Sequence, residues 1–111
     1  MKPSTPSSTE IIDPRNIPWP DLVKEFSKDM NMIGWNVDAQ HIENREALQQ
    51  IVREKLKISP NEITALFYRM GIEETRAGLA LANKQIAEGI EEICSLILKR
   101  SEERIILRNR N

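Results

Sequence analysis

Apolar residues recur along this chain at the three- and four-residue spacing of helices that bury one face. That spacing predicts five helices, over about residues 20–33, 44–57, 60–70, 73–82 and 85–104. No run alternates apolar and polar residues as a half-buried strand would. The pattern therefore predicts an all-α fold, a compact bundle of four or five helices, since the last two are compatible with one rod bent at Asn83.

Local signals mark several helix ends. Asn44 is suited to cap the second helix. Residues 59–62, Ser-Pro-Asn-Glu, match a capping box at the start of the third helix, and Ile58 and Ile63 have the spacing of a hydrophobic staple. Gly71 is suited to end that helix.

Three segments fall outside the helical pattern. Residues 1–18 are rich in Pro, Ser and Thr and predict a disordered tail before a helical domain at 19–104. Residues 35–43 are compatible with a buried loop or with an early helix start at Asp38. Residues 105–111 form a basic C-terminal extension.

The apolar side of the last helix is wider than one buried face needs. It spreads over roughly 200°, whereas a helix packed on one side needs about 100°. The helix is therefore expected to be central, or to be buried partly against another chain. In the same register Arg100 and Arg104 fall within the apolar side, so we expect the helix to leave the core there. Ile105, Ile106 and Leu107 then point in different directions and predict a short strand or an arm that grips a partner.

Few residues are suited to catalysis. His41 is the only histidine, and its polar surroundings favour a surface position. Cys94 is the only cysteine and lies on the apolar side of the last helix, which favours an unreactive core thiol. A zinc site needs more such ligands, and the four glycines form no phosphate-binding loop. We therefore expect a non-enzymatic protein without a cofactor or a metal.

Charge and hydropathy limit the location and the partners. The 111 residues carry a net charge of −1, which argues against a body that binds nucleic acid as a whole. The chain lacks the roughly 18 consecutive apolar residues of a membrane span and an apolar N-terminal signal. With a single cysteine, these features favour a cytoplasmic protein.

The leading hypothesis is a protein–protein interaction module that self-associates as a dimer. The wide apolar side of the last helix motivates it. The candidate interface residues are Trp35, Ile105, Ile106 and Leu107. Trp35 is compatible with the core as well, and the core is the favoured interpretation.

The alternative is a nucleic-acid-associated accessory protein. Residues 63–81 have the outline of a helix-turn-helix with Gly71 at the turn. Phe67 stands where a small residue is usual, and Glu73 and Glu74 would open the recognition helix with the charge that phosphate repels. The candidate contacts are Arg76, Lys99, Arg100, Arg104, Arg108 and Arg110.

One stretch resembles a known group of proteins. The run ALFYRMGIEE at residues 65–74 and the helix end ILKR at 97–100 are similar to small helical bacterial proteins, chiefly from Bacteroidetes. In that group a Leu-hydrophobic-Tyr-Arg stretch precedes a short turn and a final pair of helices. The likeness covers about residues 60–105. It implies an all-α cytoplasmic protein and assigns no activity and no functional residue.

Overall fold

The computed structural model describes residues 17–73 and 86–109, and within them the chain is helical without a strand. The elements are α1 (Trp19–Met32), a 3₁₀ helix (Ala39–His41), α2 (Arg45–Ile58), α3 (Asn61–Met70) and α4 (Ile86–Arg108). The predicted all-α fold is confirmed. The predicted fourth helix lies outside the described residues except for Glu73, and so do Asn83 and residues 1–16.

The first helix ends where glycine permits a reversal of the chain. Gly34 has a φ of +92°, a conformation that side chains disfavour. The Trp35 N–H then donates to the Met30 carbonyl, with an N···O distance of 3.0 Å. The helix buries one apolar face, which consists of Leu22, Val23, Phe26 and Met30.

Residues 35–43 form a loop that is closed against α1. Asp38 accepts a hydrogen bond from the Gln40 N–H at 3.0 Å and caps the 3₁₀ helix. The indole N–H of Trp19 donates to the Ile42 carbonyl at 2.8 Å, and the Ile42 side chain is buried. Of the two predicted alternatives, the loop is the one observed, although only Trp35 and Ile42 within it are buried. Asp38 caps a single 3₁₀ turn and does not start α2.

The predicted cap of α2 is confirmed, but the capping box and hydrophobic staple predicted at the start of α3 are not. Asn44 accepts a hydrogen bond from the Ala47 N–H at 2.9 Å. No described side chain caps α3, and Ile58 is 79% exposed, so the predicted capping box and staple are wrong. Glu62 instead lies 3.4 Å from the Lys55 ammonium group. Gly71, with a φ of +81°, ends the helix as predicted.

The last helix lies at the centre of the described bundle. It packs against α1, α2 and α3, which explains its wide apolar side. Its buried side chains include Ile90, Ile93, Cys94, Leu96, Ile97 and Leu98. Of the two predicted explanations for that width, the central position is the one observed.

The helix also continues farther than predicted. It runs to Arg108, and Ile105 is buried, so the strand or arm predicted from residue 105 is wrong. Ile105 follows Leu98 by seven residues, or about two helical turns, and so lies on the same side. The arginines within the apolar side do not end it, because they bind acceptors on α1 and α3. Among the described helices, none has both the length and the apolar character to cross a membrane.

Candidate functional site

Two acidic side chains of α1 lie almost completely within the protein. Glu25 and Asp29 are one helical turn apart and therefore share a side of the helix. Both belong to the few charged residues that are buried. Because burial of a carboxylate is costly without a cation and hydrogen bonds, their partners define the local structure.

The last helix supplies two of those cations. Arg108 Nη2 donates to Glu25 Oε1 at 2.5 Å. Arg104 donates to Asp29 Oδ2, and its Nε lies 3.8 Å from Glu25 Oε2. Arg104 and Arg108 are also one turn apart, so two basic residues of α4 face two acidic residues of α1 in antiparallel order.

A third cation comes from α3. Arg69 Nε lies 3.2 Å from Asp29 Oδ1, so this carboxylate binds arginines from two other helices. We call Glu25, Asp29, Arg69, Arg104 and Arg108 the charged seam. Its ion pairs hold α1, α3 and the C-terminal end of α4 together.

Each of the three helices that meet at the charged seam also carries an exposed apolar side chain close in sequence to a seam residue. Met32 is 67% exposed, Tyr68 77% and Leu107 53%. Met32 follows Asp29 by three residues, Tyr68 precedes Arg69, and Leu107 follows Arg104 by three residues. Each therefore lies within about one helical turn of a seam residue. We call Met32, Tyr68 and Leu107 the apolar rim.

The outer face of α3 leaves the Tyr68 ring accessible. The exposed residues one turn before it are Thr64 and Ala65, which are small and uncharged. Tyrosine, methionine and arginine are the types enriched in protein–protein interfaces. The seam and its rim together have that composition on three helices.

Most of the predicted interface residues are not available on the surface. Trp35 and Ile105 are buried in the core, and Ile106 is partly buried. The Trp35 ring lies under the Lys55 ammonium group at 4.9 Å, and its indole N–H has no hydrogen-bond partner among the described residues. Only Leu107 of the four is more than half exposed.

The predicted nucleic-acid contacts are largely engaged within the chain. Arg100 Nε donates to the Met70 carbonyl at 2.8 Å, and its Nη1 lies 3.3 Å from Glu103. Arg104 and Arg108 belong to the charged seam. Lys99 is exposed, whereas Arg76 and Arg110 lie outside the described residues.

The candidate catalytic residues do not come together. His41 is exposed, and its Nδ1 lies 3.7 Å from Asp38. Cys94 is fully buried, and burial raises the pKa of its thiol to about 12, which agrees with the predicted core thiol. Within the described part of the chain, His, Cys, Asp and Glu form no group of three that is suited to a metal ion.

Two further surface features lie outside the charged seam. A hollow of about 330 Å³ beside His41 is lined mainly by apolar residues, among them Val37, Ile42 and Ile51. On the opposite side of α2, Arg45 bonds Glu91 of α4 at 2.5 Å and lowers the pKa of that carboxyl group.

The sequence pattern does not mark Glu25, Asp29, Arg69, Met32 or Tyr68 as site residues. A signal was present, because acidic residues one turn apart on one helix match basic residues one turn apart on another. Which two helices are neighbours is a tertiary property, however, and the spacing alone does not determine it.

Comparisons of the chain with protein-family models, with curated proteins and with solved structures found no match. They therefore do not bear on the resemblance to the bacterial helical proteins, which stays a prediction. The functional interpretation depends on the geometry of the charged seam and the apolar rim.

Proposed function

We propose that this protein is a non-enzymatic interaction module that binds another protein chain through the apolar rim. The observation that carries the proposal is the exposure of Met32, Tyr68 and Leu107, which lie in the three helices that the ion pairs of Asp29 join. Single exposed apolar side chains are ordinary on a protein surface. Three of them beside partly exposed arginines have the composition of a binding surface.

The charged seam supports this role because it holds the surface in one arrangement. Asp29 binds Arg69 and Arg104, and these contacts determine how α3 and α4 lie against α1. A surface that is ordered before binding loses less conformational entropy when a partner is bound. The rim is therefore suited to a defined partner.

We assign self-association to the rim instead of the apolar side of α4. The wide apolar side of α4 favours a dimer only where it lacks cover, and α1, α2 and α3 of the same chain cover it in the described bundle. We place the module in the cytoplasm, because the chain contains one cysteine and that thiol is buried. A second copy of the chain is one outcome of the test below.

The nucleic-acid alternative receives less support from the geometry. Arg100, Arg104 and Arg108 already bind acceptors of this chain, so fewer of their N–H groups face solvent. Binding of phosphate groups would also leave the exposed side chains of Met32 and Leu107 without an apolar contact. An accessory role on nucleic acid therefore remains the second proposal, and no observation favours it.

Site-specific photo-crosslinking tests the proposal in the cells that produce the protein. p-Benzoylphenylalanine replaces Tyr68 in the full chain, and in the control chain it replaces the exposed Glu54 of α2. We expect a protein adduct from position 68 that position 54 does not give. The mass of the adduct identifies a second copy or a different protein, and either result supports the module.

The absence of a protein adduct specific to position 68 would contradict the proposal. Sedimentation velocity of the purified chain completes the test. A dimer that the Tyr68→Ser variant loses would assign self-association to the rim, and a dimer that this variant retains would place it elsewhere.

A further inference from the structure

Three isoleucines interrupt the polar sequence that precedes α1, and they are Ile11, Ile12 and Ile17. The structure describes Ile17, and its side chain is buried in the core although it belongs to the predicted tail. The one isoleucine of this stretch that is described therefore packs against the helical body. Ile11 and Ile12 are apolar residues of the same kind, six and five positions earlier in the chain.

The hollow beside His41 is an incomplete edge of the core. Its apolar lining consists of Ile42, which is buried, and of Val37, Ala47 and Ile51, which are partly buried against the core. A volume of about 330 Å³ is open above these side chains. Their remaining apolar surface therefore has no cover among the described residues.

The polar side chains of the lining already have partners within the chain. His41 Nδ1 lies 3.7 Å from Asp38 Oδ2. The Gln50 amide group accepts a hydrogen bond from Arg53 and donates one to Glu54. A polar ligand would compete with these contacts, whereas an aliphatic side chain needs none of them. The lining is therefore suited to an aliphatic occupant.

The described chain begins beside this hollow. The Trp19 indole N–H donates to the carbonyl of Ile42, a lining residue, with an N···O distance of 2.8 Å. Trp19 follows Ile17 by two residues. The residues that precede Ile17 are therefore joined to the body close to the hollow, and no long connection is needed to reach it.

The length and type of the connecting residues also fit. The five steps from Ile12 to Ile17 span up to about 17 Å when the chain is extended. Pro14 has a fixed φ and disfavours a helical conformation of Asp13, so the sequence favours an extended path. The lining residues all belong to the loop after α1 and the first two turns of α2, which is a short distance to cross.

We propose that the segment of Ile11 and Ile12 docks in this hollow and completes the core between the loop and α2. A segment attached through a short connection has an effective concentration on the order of millimolar. A second copy or another partner must therefore displace it before binding there. The inference uses no residue of the charged seam or the apolar rim, so it goes beyond the proposed function and can fail separately.

Disulfide trapping in the full chain tests the proposal. Asp13→Cys and Gln50→Cys place one thiol beside the two isoleucines and one at the hollow, and both isoleucines are kept. Cys94 does not compete, because it is fully buried and the pKa of its thiol is raised to about 12. We expect mild oxidation of the dilute protein to form an intramolecular disulfide, which mass spectrometry identifies.

The matched control carries the same two cysteines together with Ile11→Ser and Ile12→Ser. We expect its disulfide to form at least roughly ten-fold more slowly, because burial of one isoleucine typically changes an equilibrium constant by more than a factor of ten. Circular dichroism of both chains verifies that they are folded. Equal rates in the two chains, or no disulfide at all, would overturn the proposal.

A disulfide-linked dimer as the main product would overturn it as well and would assign the hollow to a second copy. Nuclear Overhauser effects between methyl groups provide a test without any substitution. We expect such effects between Ile11 or Ile12 and Val37 or Ile51 in the unmodified chain. Their absence would contradict docking of the segment.

Discussion

Asp29 is a nearly buried carboxylate whose charge is compensated from two other helices. Arg69 of α3 and Arg104 of α4 both bind it, and Glu25 has a similar arrangement with Arg108. A buried ion pair adds little net stability, but removal of one partner leaves an uncompensated charge. The stability of the protein is therefore most sensitive to substitutions that remove one partner of a seam ion pair and leave the other partner charged.

Substitution of Arg104 by Met should destabilise the protein clearly. We expect a loss of about 2–3 kcal/mol in the free energy of unfolding, at the low end for a buried pair because Arg104 is partly exposed. Asp29→Asn in the same chain should restore part of the loss. Urea denaturation measures both values.

The matched control is Arg53→Met on α2, since Arg53 bonds only the exposed Gln50 of its own helix among the described residues. We expect a change within about 0.5 kcal/mol for this variant. Equal effects of the Arg53 and Arg104 substitutions would contradict the proposed role of the seam.

The Glu102 carboxyl group should lower stability at neutral pH. Burial, and secondarily the charge of Glu103, raise the pKa of Glu102 above its ordinary value. The folded state therefore holds this proton more tightly than the unfolded state, and stability falls as pH rises from the unfolded pKa through the folded pKa. Glu102→Gln should raise the melting temperature at pH 7 and leave it unchanged near pH 3.

Glu92→Gln on the exposed side of the same helix is the control, and it should change the melting temperature little at either pH. A gain from Glu102→Gln that persists unchanged in acid would assign the effect to packing instead of charge.

At the scale of the elements, the sequence predicts best where the signal is local. The bounds of α1 and α2 were predicted to within one residue, because apolar spacing, Asn44 and Gly34 act within a few residues of each helix end. The end of α4 was not predicted correctly, because arginines on the apolar side of a helix suggest that the helix has left the core. Their acceptors lie on α1 and α3, about 30 to 80 residues earlier in the chain.

The end of α3 gives a prediction at the same scale. Gly71 has a φ of +81°, and an added Cβ would lie 3.1 Å from Arg100 Nη2. We expect Gly71→Ala to cost about 1 kcal/mol or more, because it strains the backbone and displaces the Arg100 side chain that caps α3.

Gly34→Ala provides the comparison, since its φ is +92° but an added Cβ would have no heavy atom within 4 Å. Thermal unfolding should show a smaller loss for Gly34→Ala than for Gly71→Ala. The reverse order would mean that the Arg100 contact does not stabilise the end of α3.

At the scale of the whole molecule, the described residues cover the core within one chain and leave Met32, Tyr68 and Leu107 exposed on the three helices that meet at the charged seam. Leu107 and Arg104 could be selected from the sequence as exceptions to the helical pattern, and Arg108 as part of the basic C-terminus. Tyr68 and Met32 could not, because each lies in an ordinary amphipathic helix. Their assignment to a binding surface depends on Asp29, whose ion pairs join α1, α3 and α4.

The most direct test measures binding and stability on the same variant. p-Benzoylphenylalanine at the exposed position Thr64, one turn from Tyr68, captures the partner in chains with an intact rim and in the Met32→Ser, Tyr68→Ser, Leu107→Ser variant. We predict that the triple substitution removes most of the adduct while the free energy of unfolding changes by less than about 1 kcal/mol. An undiminished adduct from the folded triple variant would contradict the assignment of the rim as the binding surface.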